Sequence, residues 1–417
     1  MTTCFPKLCC VLLLLLLPAA ESILGFNNTA EIKCIESERQ ALLNFKHDLV
    51  DAHYMLSTWR DDEKSKDCCK WKGIQCDHQT GRVGNLPYLQ TLRLPGDFDV
   101  KPKDAHWLSN LSSLTHLAID GLHNPDWLHM IHYPKLGELR LVDCSVSDTH
   151  IQSLFYSRSN FSNSLTILDL SSNMLTSSTF QLLSNFPSLV ILDLSYNKMT
   201  SSVFQGIFNF SSKLQNLYLR NCSLRDDSFL MSAISITNSS SCLVSLDLSF
   251  NLLKSSSIFY WLFNSTTNLR TLELHHNMLE GPIPNGFGKS LSLSDNQITG
   301  ILPMSIGSLS ELEGLYLDGN CLEGDVTESH LSKFSKLRFL SLSDNSLSLK
   351  IVPNWVPPFQ IIILELRSCK LGPSFPSWLQ TQRSLLHLDI SENRLNGSVP
   401  KWFWNNLRDV RYLYVSE

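Results

Sequence analysis

Two stretches decide how this chain is read: LTILDLSSN at 165–173 and LVILDLSYN at 189–197, which start 24 residues apart. The pattern they share is L-x-x-L-x-L-x-x-N. It begins again at Leu243 (LVSLDLSFN), Leu269 (LRTLELHHN), Leu312 (LEGLYLDGN), Leu337 (LRFLSLSDN) and Leu385 (LLHLDISEN). Weaker copies begin at Leu89, Leu114, Leu136, Leu214 and Ile361, a degraded one at Gly288 and an unfinished one at Val410. These make fourteen units, most of them 22 to 29 residues apart. In L-x-L the two leucines point one way and the intervening residue the other, as strand alternation requires. One unit cannot bury its own apolar side, so units must stack and share an elongated core.

That period is the one of a leucine-rich repeat. It predicts an α/β-type solenoid over 86–417, a horseshoe or superhelix with an N-terminal disulfide-stapled helical cap, rather than the two or three compact domains that 417 residues would otherwise imply. The ninth-position Asn is expected to leave the strand and bond through its amide to backbone of the neighbouring turn. Cys144, Cys222 and Cys369 fall in that same column and read as small buried ladder residues rather than metal ligands. After the Asn, several units continue as G-x-[IVF]-P or close to it, at 281–284, 300–303, 397–400 and, with one extra residue, 372–376. Proline there ends any helix and fixes an extended segment on the far side.

A solenoid exposes its apolar end unless a cap covers it. Cys34 is followed by ESERQALLNFKHDL, in which Ser37 and Gln40 have capping-box spacing and Ala41, Leu42, Phe45 and Leu49 share a helical face. Trp59 and then CCKWKGIQC (68–76) complete a small lid over 31–80. Adjacent cysteines favour disulfides over a zinc site, for which the spacing of Cys34, Cys68, Cys69 and Cys76 is wrong. Residues 1–22 have the weakly basic start, apolar run and small residues of a secretory signal. Three of the 12 cysteines fall inside it, leaving nine, an odd number. N-x-[ST] acceptors for glycosylation stand at Asn27, Asn110, Asn160, Asn209, Asn221, Asn238, Asn264 and Asn396. With 34 Lys+Arg against 39 Asp+Glu, the net charge of −5 lacks the basic footprint of a nucleic-acid binder.

The cap resembles the N-terminal domain of plant receptor-like proteins and kinases. The stretch VTESHLSKFSKLRFLSLSDNSLSLKIVPNWVPPFQIIILELRSCKLGPSFPSWLQTQ (326–382) resembles receptor-like proteins of the ethylene-inducing xylanase receptor group. The resemblance implies disulfides Cys34–Cys68 and Cys69–Cys76. It also implies a cell-surface immune receptor with one transmembrane helix, a short tail and no kinase of its own, signalling through a partner receptor kinase. Three departures stand out: GRV at 81–83 runs into what reads as the back of a later repeat, the step from Asn277 to Asn296 is only 19 residues, and the sequence stops one residue short of an expected Asn. They are the expectation for a truncated gene product or an incomplete gene model.

Recognition by such arrays falls on the concave strand face, at the x positions around the core leucines. The candidates are Arg140, Asp169, Asp193, Tyr218, Asp247, Glu273, Tyr316, Phe339, Glu365 and Asp389, with Arg220, His275, Asp318, Arg367 and His387 beside them. An acidic column with interspersed Tyr and Arg suits a protein or peptide ligand, a microbial wall-degrading enzyme being the one the resemblance implies. L-D-L-S also recurs as consensus, which makes a plain solvated face the competing reading of the Asp column. Catalysis is not expected: the Asp169 and Asp193 pair repeats as consensus on an open surface, and no nucleophile elbow, phosphate loop or kinase signature occurs. His123, His129 and His132 fall in one inter-strand segment, but His129 and His132 make an incomplete metal-ligand set, so neither metal nor cofactor is expected. The competing functions are a secreted inhibitor of a microbial cell-wall-degrading enzyme and a non-functional truncated receptor fragment. Localisation is the secretory pathway, at the outer side of the plasma membrane if the full-length gene carries a span and secreted otherwise.

Overall fold

The computed structural model of the chain describes residues 34, 36–47, 57–63, 65–71, 91–94, 114–123, 125–130, 133–156, 163–183, 186–199, 213–229, 242–255, 258–259, 268–283, 290–406 and 409–416. The signal at 1–22, GRV at 81–83, Leu49, Gly73, Cys76, His132 and the sequon asparagines Asn27, Asn110, Asn160, Asn209, Asn238 and Asn264 lie outside the described residues. Two units divide the chain, Met1–Leu189 and Val190–Glu417.

The first unit opens with helix α1 (Glu36–His47). It starts one residue ahead of Ser37, which places Ser37 inside the first turn. Long-range charge explains the difference. Arg39, only 6% exposed, donates from Nε to Glu36 in the same turn at 2.9 Å and from Nη1 to Asp61 at 2.6 Å. Below α1, Leu42, Trp59, Cys68 and Trp71 form the lid's core, with Cys34 and Leu43 packed against it. The two indoles stack at 5.7 Å between centroids. Cys34 and Cys68 are joined by a disulfide and Cys69 is disulfide-bonded as well. Asp67 ties the knot by accepting from the backbone N–H of both Cys34 and Cys69 at 3.2 Å.

Four strands follow in this unit: β1 (Thr91–Leu94), β2 (His116–Asp120), β3 (Glu138–Val142) and β4 (Ile167–Asp169), each parallel to the next. Leu92, Leu117, Leu139 and Leu168 stand in register. Helices α2 (Asp148–Tyr156) and α3 (Thr179–Leu183) make the return sides of two repeats and bury Ile151, Leu154, Phe180 and Leu183.

The second unit continues the same geometry. Its strands are β5 (Ile191–Asp193), β6 (Asn216–Tyr218), β7 (Ser245–Asp247), β8 (Thr271–Glu273), β9 (Glu280–Gly281), β10 (Ser290–Ser292), β11 (Gln297–Ile301), β12 (Gly314–Tyr316), β13 (Cys321–Val326), β14 (Phe339–Ser341), β15 (Ser346–Leu349), β16 (Ile363–Glu365), β17 (His387–Asp389) and β18 (Tyr412–Tyr414). The L-x-L strands of the repeats form one parallel ladder from β5 to β18, and the degraded copy supplies β10, in register between β8 and β12. A second parallel sheet of four strands runs β9, β11, β13, β15. Two of its strands come from G-x-[IVF]-P segments, as expected. The other two, β13 and β15, have no such proline. The segments at 372–376 and 397–400 form no strand.

The ladder asparagines behave as their chemistry predicts. Asn251 donates from Nδ2 to the carbonyls of Leu219 and Leu248 and accepts at Oδ1 from the N–H groups of Cys222 and Leu224. Asn173, Asn277, Asn296, Asn320 and Asn345 likewise reach back to the preceding turn. Where the column carries Cys, the thiol does half of this. Cys144, Cys222 and Cys369 are fully buried and donate to the carbonyls of Ile119, Leu194 and Leu342. Burial pushes all three thiols up to about 12, so they are protonated donors and not metal-binding thiolates.

Candidate ligand-binding face

Strand alternation puts the buried leucine of each strand between two outward positions, and the register turns those positions into columns. In the first unit the column after that leucine runs Arg93, Ala118, Arg140, Asp169. In the second it runs Asp193, Tyr218, Asp247, Glu273, Ser292, Tyr316, Ser341, Glu365, Asp389, Tyr414. Every candidate from the sequence lies on this face, partly exposed: nine in the column, and Phe339 in the one before it.

The aspartates carry a second, structural duty. Asp169, Asp193, Asp247 and Asp389 each accept through Oδ1 from the backbone N–H of the serine two residues on. In three of them the serine hydroxyl donates to the same oxygen. This is a local turn of the Asp–Ser type, and it explains why L-D-L-S recurs. One oxygen of each carboxylate is committed to the turn, and in Asp169 the other lies 3.5 Å from Arg140.

The remaining positions are shaped by neighbours in the same repeat or on the next strand. Arg140 bonds Glu138 at 2.6 Å and lies 3.5 Å from Asp169. Glu273 stands 3.4 Å from His275, and Glu365 3.4 Å from His387. Tyr316 stacks beside Phe339 with centroids 6.4 Å apart. Burial, then the charges of Glu273, Glu365 and Asp318, push the Tyr316 hydroxyl up to about 12.

One column was invisible to the motif. The residue just before the ladder Asn or Cys adopts left-handed backbone in repeat after repeat, where small or polar residues sit easily: Ser172, Asn221, Asp295, Gly319, Asp344. Tyr196, Phe250 and His276 occupy the same conformation with large rings, at a cost of roughly 1–2 kcal/mol each. They remain exposed nonetheless. The guanidinium of Arg220 lies 4.3 Å over the Phe250 ring, and His276 packs on it at 4.2 Å. Bulky residues immediately before the Asn were the available signal.

Among the described residues no helix is long and apolar enough to cross a membrane. Of the sequon asparagines, Asn221 and Asn396 are described and both are exposed.

The architecture is that of a leucine-rich-repeat protein. Residues 35–77 match the family described as leucine rich repeat N-terminal domain, 289–347 match leucine rich repeat, and three further single repeats match at 164–186, 268–290 and 384–406. Within that class the chain resembles the plant receptor-like proteins. It is 29% identical to receptor-like protein EIX1 of Solanum lycopersicum over 94% of this chain and 53% of that protein, and 31% identical to receptor-like protein EIX2 of the same plant over 92% and 52%. Receptor-like protein 14 of Arabidopsis thaliana is 32% identical over 92% of this chain and 40% of that protein. The chain thus spans about half the length of the two tomato relatives. The solved Arabidopsis receptor kinase HAESA, in complex with the peptide hormone IDA and the co-receptor SERK1, superposes with a TM-score of 0.58 at 22% identity, covering 92% of this chain and 70% of that one. A Listeria monocytogenes internalin gives 0.51 at 16% identity, covering 80% and 87%. Both show a shared fold.

Proposed function

We propose that the chain is the extracellular ligand-recognition array of a plant receptor-like protein, acting in defence at the outer side of the plasma membrane and signalling through a partner receptor kinase. The observation that carries this reading is resemblance to receptor-like proteins along nearly the whole chain. The ligand is a protein or peptide, a microbial wall-degrading enzyme being the first to try. It docks on the strand face, whose columns mix carboxylates with Tyr218, Tyr316 and Phe339, a surface suited to protein contacts. Asn221 and Asn396 carry N-glycans, placed at exposed turns.

The test uses the full chain secreted from leaf tissue, with a purified ethylene-inducing fungal xylanase as probe. Direct binding is expected, weakened at least tenfold by Tyr218→Ala, about 1.4 kcal/mol for one central aromatic contact. Co-precipitation with a membrane receptor kinase supports the signalling half. Absence of xylanase binding removes that ligand. Inhibition of the xylanase without kinase association replaces the receptor reading with that of a secreted inhibitor.

A further inference from the structure

One buried polar atom on the strand face has no partner. Ser341 is 1% exposed, and its Oγ makes no hydrogen bond. It is an outward position of β14, so its side chain belongs to the ligand face, and a buried hydroxyl left unsatisfied calls for an explanation. Its direct neighbours in the column are Tyr316 on β12 and Glu365 on β16, each about 4.8 Å away along the sheet. A small residue between two large ones makes a recess with an aromatic wall on one side and a carboxylate on the other.

The wall is set in place by packing. The Tyr316 ring lies over Gly314, where an added Cβ would come within 3.0 Å of the Tyr316 Cε2. Phe339 stacks beside it.

The surrounding charge is one-sided. Among the described residues no Lys or Arg pairs with Glu273, Asp318 or Glu365. Glu273 and Glu365 face histidines, and Asp318 accepts from the Ser294 hydroxyl at 2.7 Å. Arg367, two residues beyond Glu365, is turned toward Asp344 and Glu392 instead. A bare metal ion does not suit the place. Among the described residues, Cys34, Cys68 and Cys69 form the sole group of three or more ligand atoms within 4.8 Å of one another, and their sulfurs are in disulfides. Carboxylates spread along a strand face need a cation delivered on an arm.

We propose that the recess over Ser341, between Tyr316 and Glu365, receives an arginine or lysine side chain of the protein or peptide ligand. This rests on the strand face being the recognition face. The arriving N–H groups donate to the Glu365 carboxylate and, once the side chains covering it move aside, to the Ser341 Oγ, and the cation lies against the Tyr316 ring.

The test selects a phage-displayed random 12-residue peptide library on the immobilised full-length chain. Enriched peptides are expected to share an Arg or Lys. Changing it to Gln, or making Glu365→Gln in the chain, weakens binding about tenfold, the size of one charge-assisted hydrogen bond. Ser341→Ala also weakens binding while leaving the melting temperature unchanged or raised, because the lost hydroxyl had no partner. Peptides without a basic residue that are still lost with Tyr218→Ala would overturn the recess and leave the recognition face standing. Peptides indifferent to both Tyr218→Ala and Glu365→Gln would remove the face as well. A Ser341→Ala chain that melts earlier with binding intact would make the hydroxyl structural and overturn the proposal.

Discussion

The ladder makes a quantitative claim that two neighbouring repeats can test. Asn251, 3% exposed, accepts from the Cys222 N–H at 2.9 Å and the Leu224 N–H at 3.0 Å, and donates to the carbonyls of Leu219 at 2.8 Å and Leu248 at 2.9 Å. Asn251→Ala leaves two amide donors in a dry interior, each costing about 1–3 kcal/mol, for a total of about 2–6 kcal/mol. One repeat earlier, Cys222 offers only a thiol donor, at 3.2 Å from the Leu194 carbonyl. Cys222→Ala therefore loses one weak bond and a sulfur's worth of packing, about 1–1.5 kcal/mol. The readout is native-state hydrogen exchange at the Cys222 and Leu224 amides, because a repeat array opens locally and one global unfolding energy would blur the site. A gap of about 2 kcal/mol between the variants corresponds to roughly 30-fold faster exchange in Asn251→Ala. Equal exchange in the two variants would refute the view that the Asn amide, rather than mere burial of a small side chain, holds successive turns together.

Further outcomes follow from the same packing. The Cys34–Cys68 bridge spans a sequence separation of 34, so replacing both with Ser is expected to cost the cap about 3–4 kcal/mol. Limited proteolysis would then cut first within 36–71, and an unchanged cleavage pattern would contradict this. Gly372→Ala places a Cβ 2.2 Å from the Arg394 carbonyl oxygen, whereas nothing lies within 4 Å of one at Gly397. The first variant should lose about 3 kcal/mol to backbone overlap, and the second only about 1–2 kcal/mol for its left-handed φ. Denaturant midpoints of the two variants check the order. Exposed Cys242 and Cys321 should react with a maleimide at once, while Cys144, Cys222 and Cys369 should stay unlabelled in the folded chain. Burial holds those three near 12 against an ordinary 9.0. Unfolded thiols therefore lose protons before folded ones, so this contribution to stability is present below about pH 9 and is lost as pH rises toward 12. Thermal melts across that window should fall more for the native chain than for a triple Cys→Ala variant.

How much of this was open to a reader of the sequence depends on the range of the interaction involved. The leucine spacing is local and enforced by burial, so it gave each strand of the long ladder, even β10, whose copy has Gly288 in place of its first leucine. Column membership followed, since a period of two leaves no freedom about which side chains face out. Glu36 as the helix start was hidden, because it depends on Arg39 reaching Asp61 22 residues away. The strands β13 and β15 were hidden for a similar reason. CLEGDV and SLSL have no proline to mark them and are held extended by pairing with one another and with β11. The Asp column was half legible: its place was plain, but its duty to the following serine is a matter of side-chain geometry.

The positions with most to say about recognition are those where the repeat's own preferences are violated. Consensus accounts for Asp at the turn, Asn in the ladder and a small residue in left-handed backbone. It does not account for Phe250 held exposed at a φ of 57° under the Arg220 guanidinium, nor for a buried Ser341 hydroxyl bonded to nothing. Both features spend stability on the outward side of the second unit, within the columns where the repeat leaves residue choice free. A ring held in strained backbone and a hydroxyl without a partner are where the proposed ligand would find interactions that the fold leaves unmade. A ligand that settles on this face should therefore protect the turns around Phe250 and Ser341 from exchange, while the ladder amides behind them, already satisfied by Asn251 and Asn345, stay as they are.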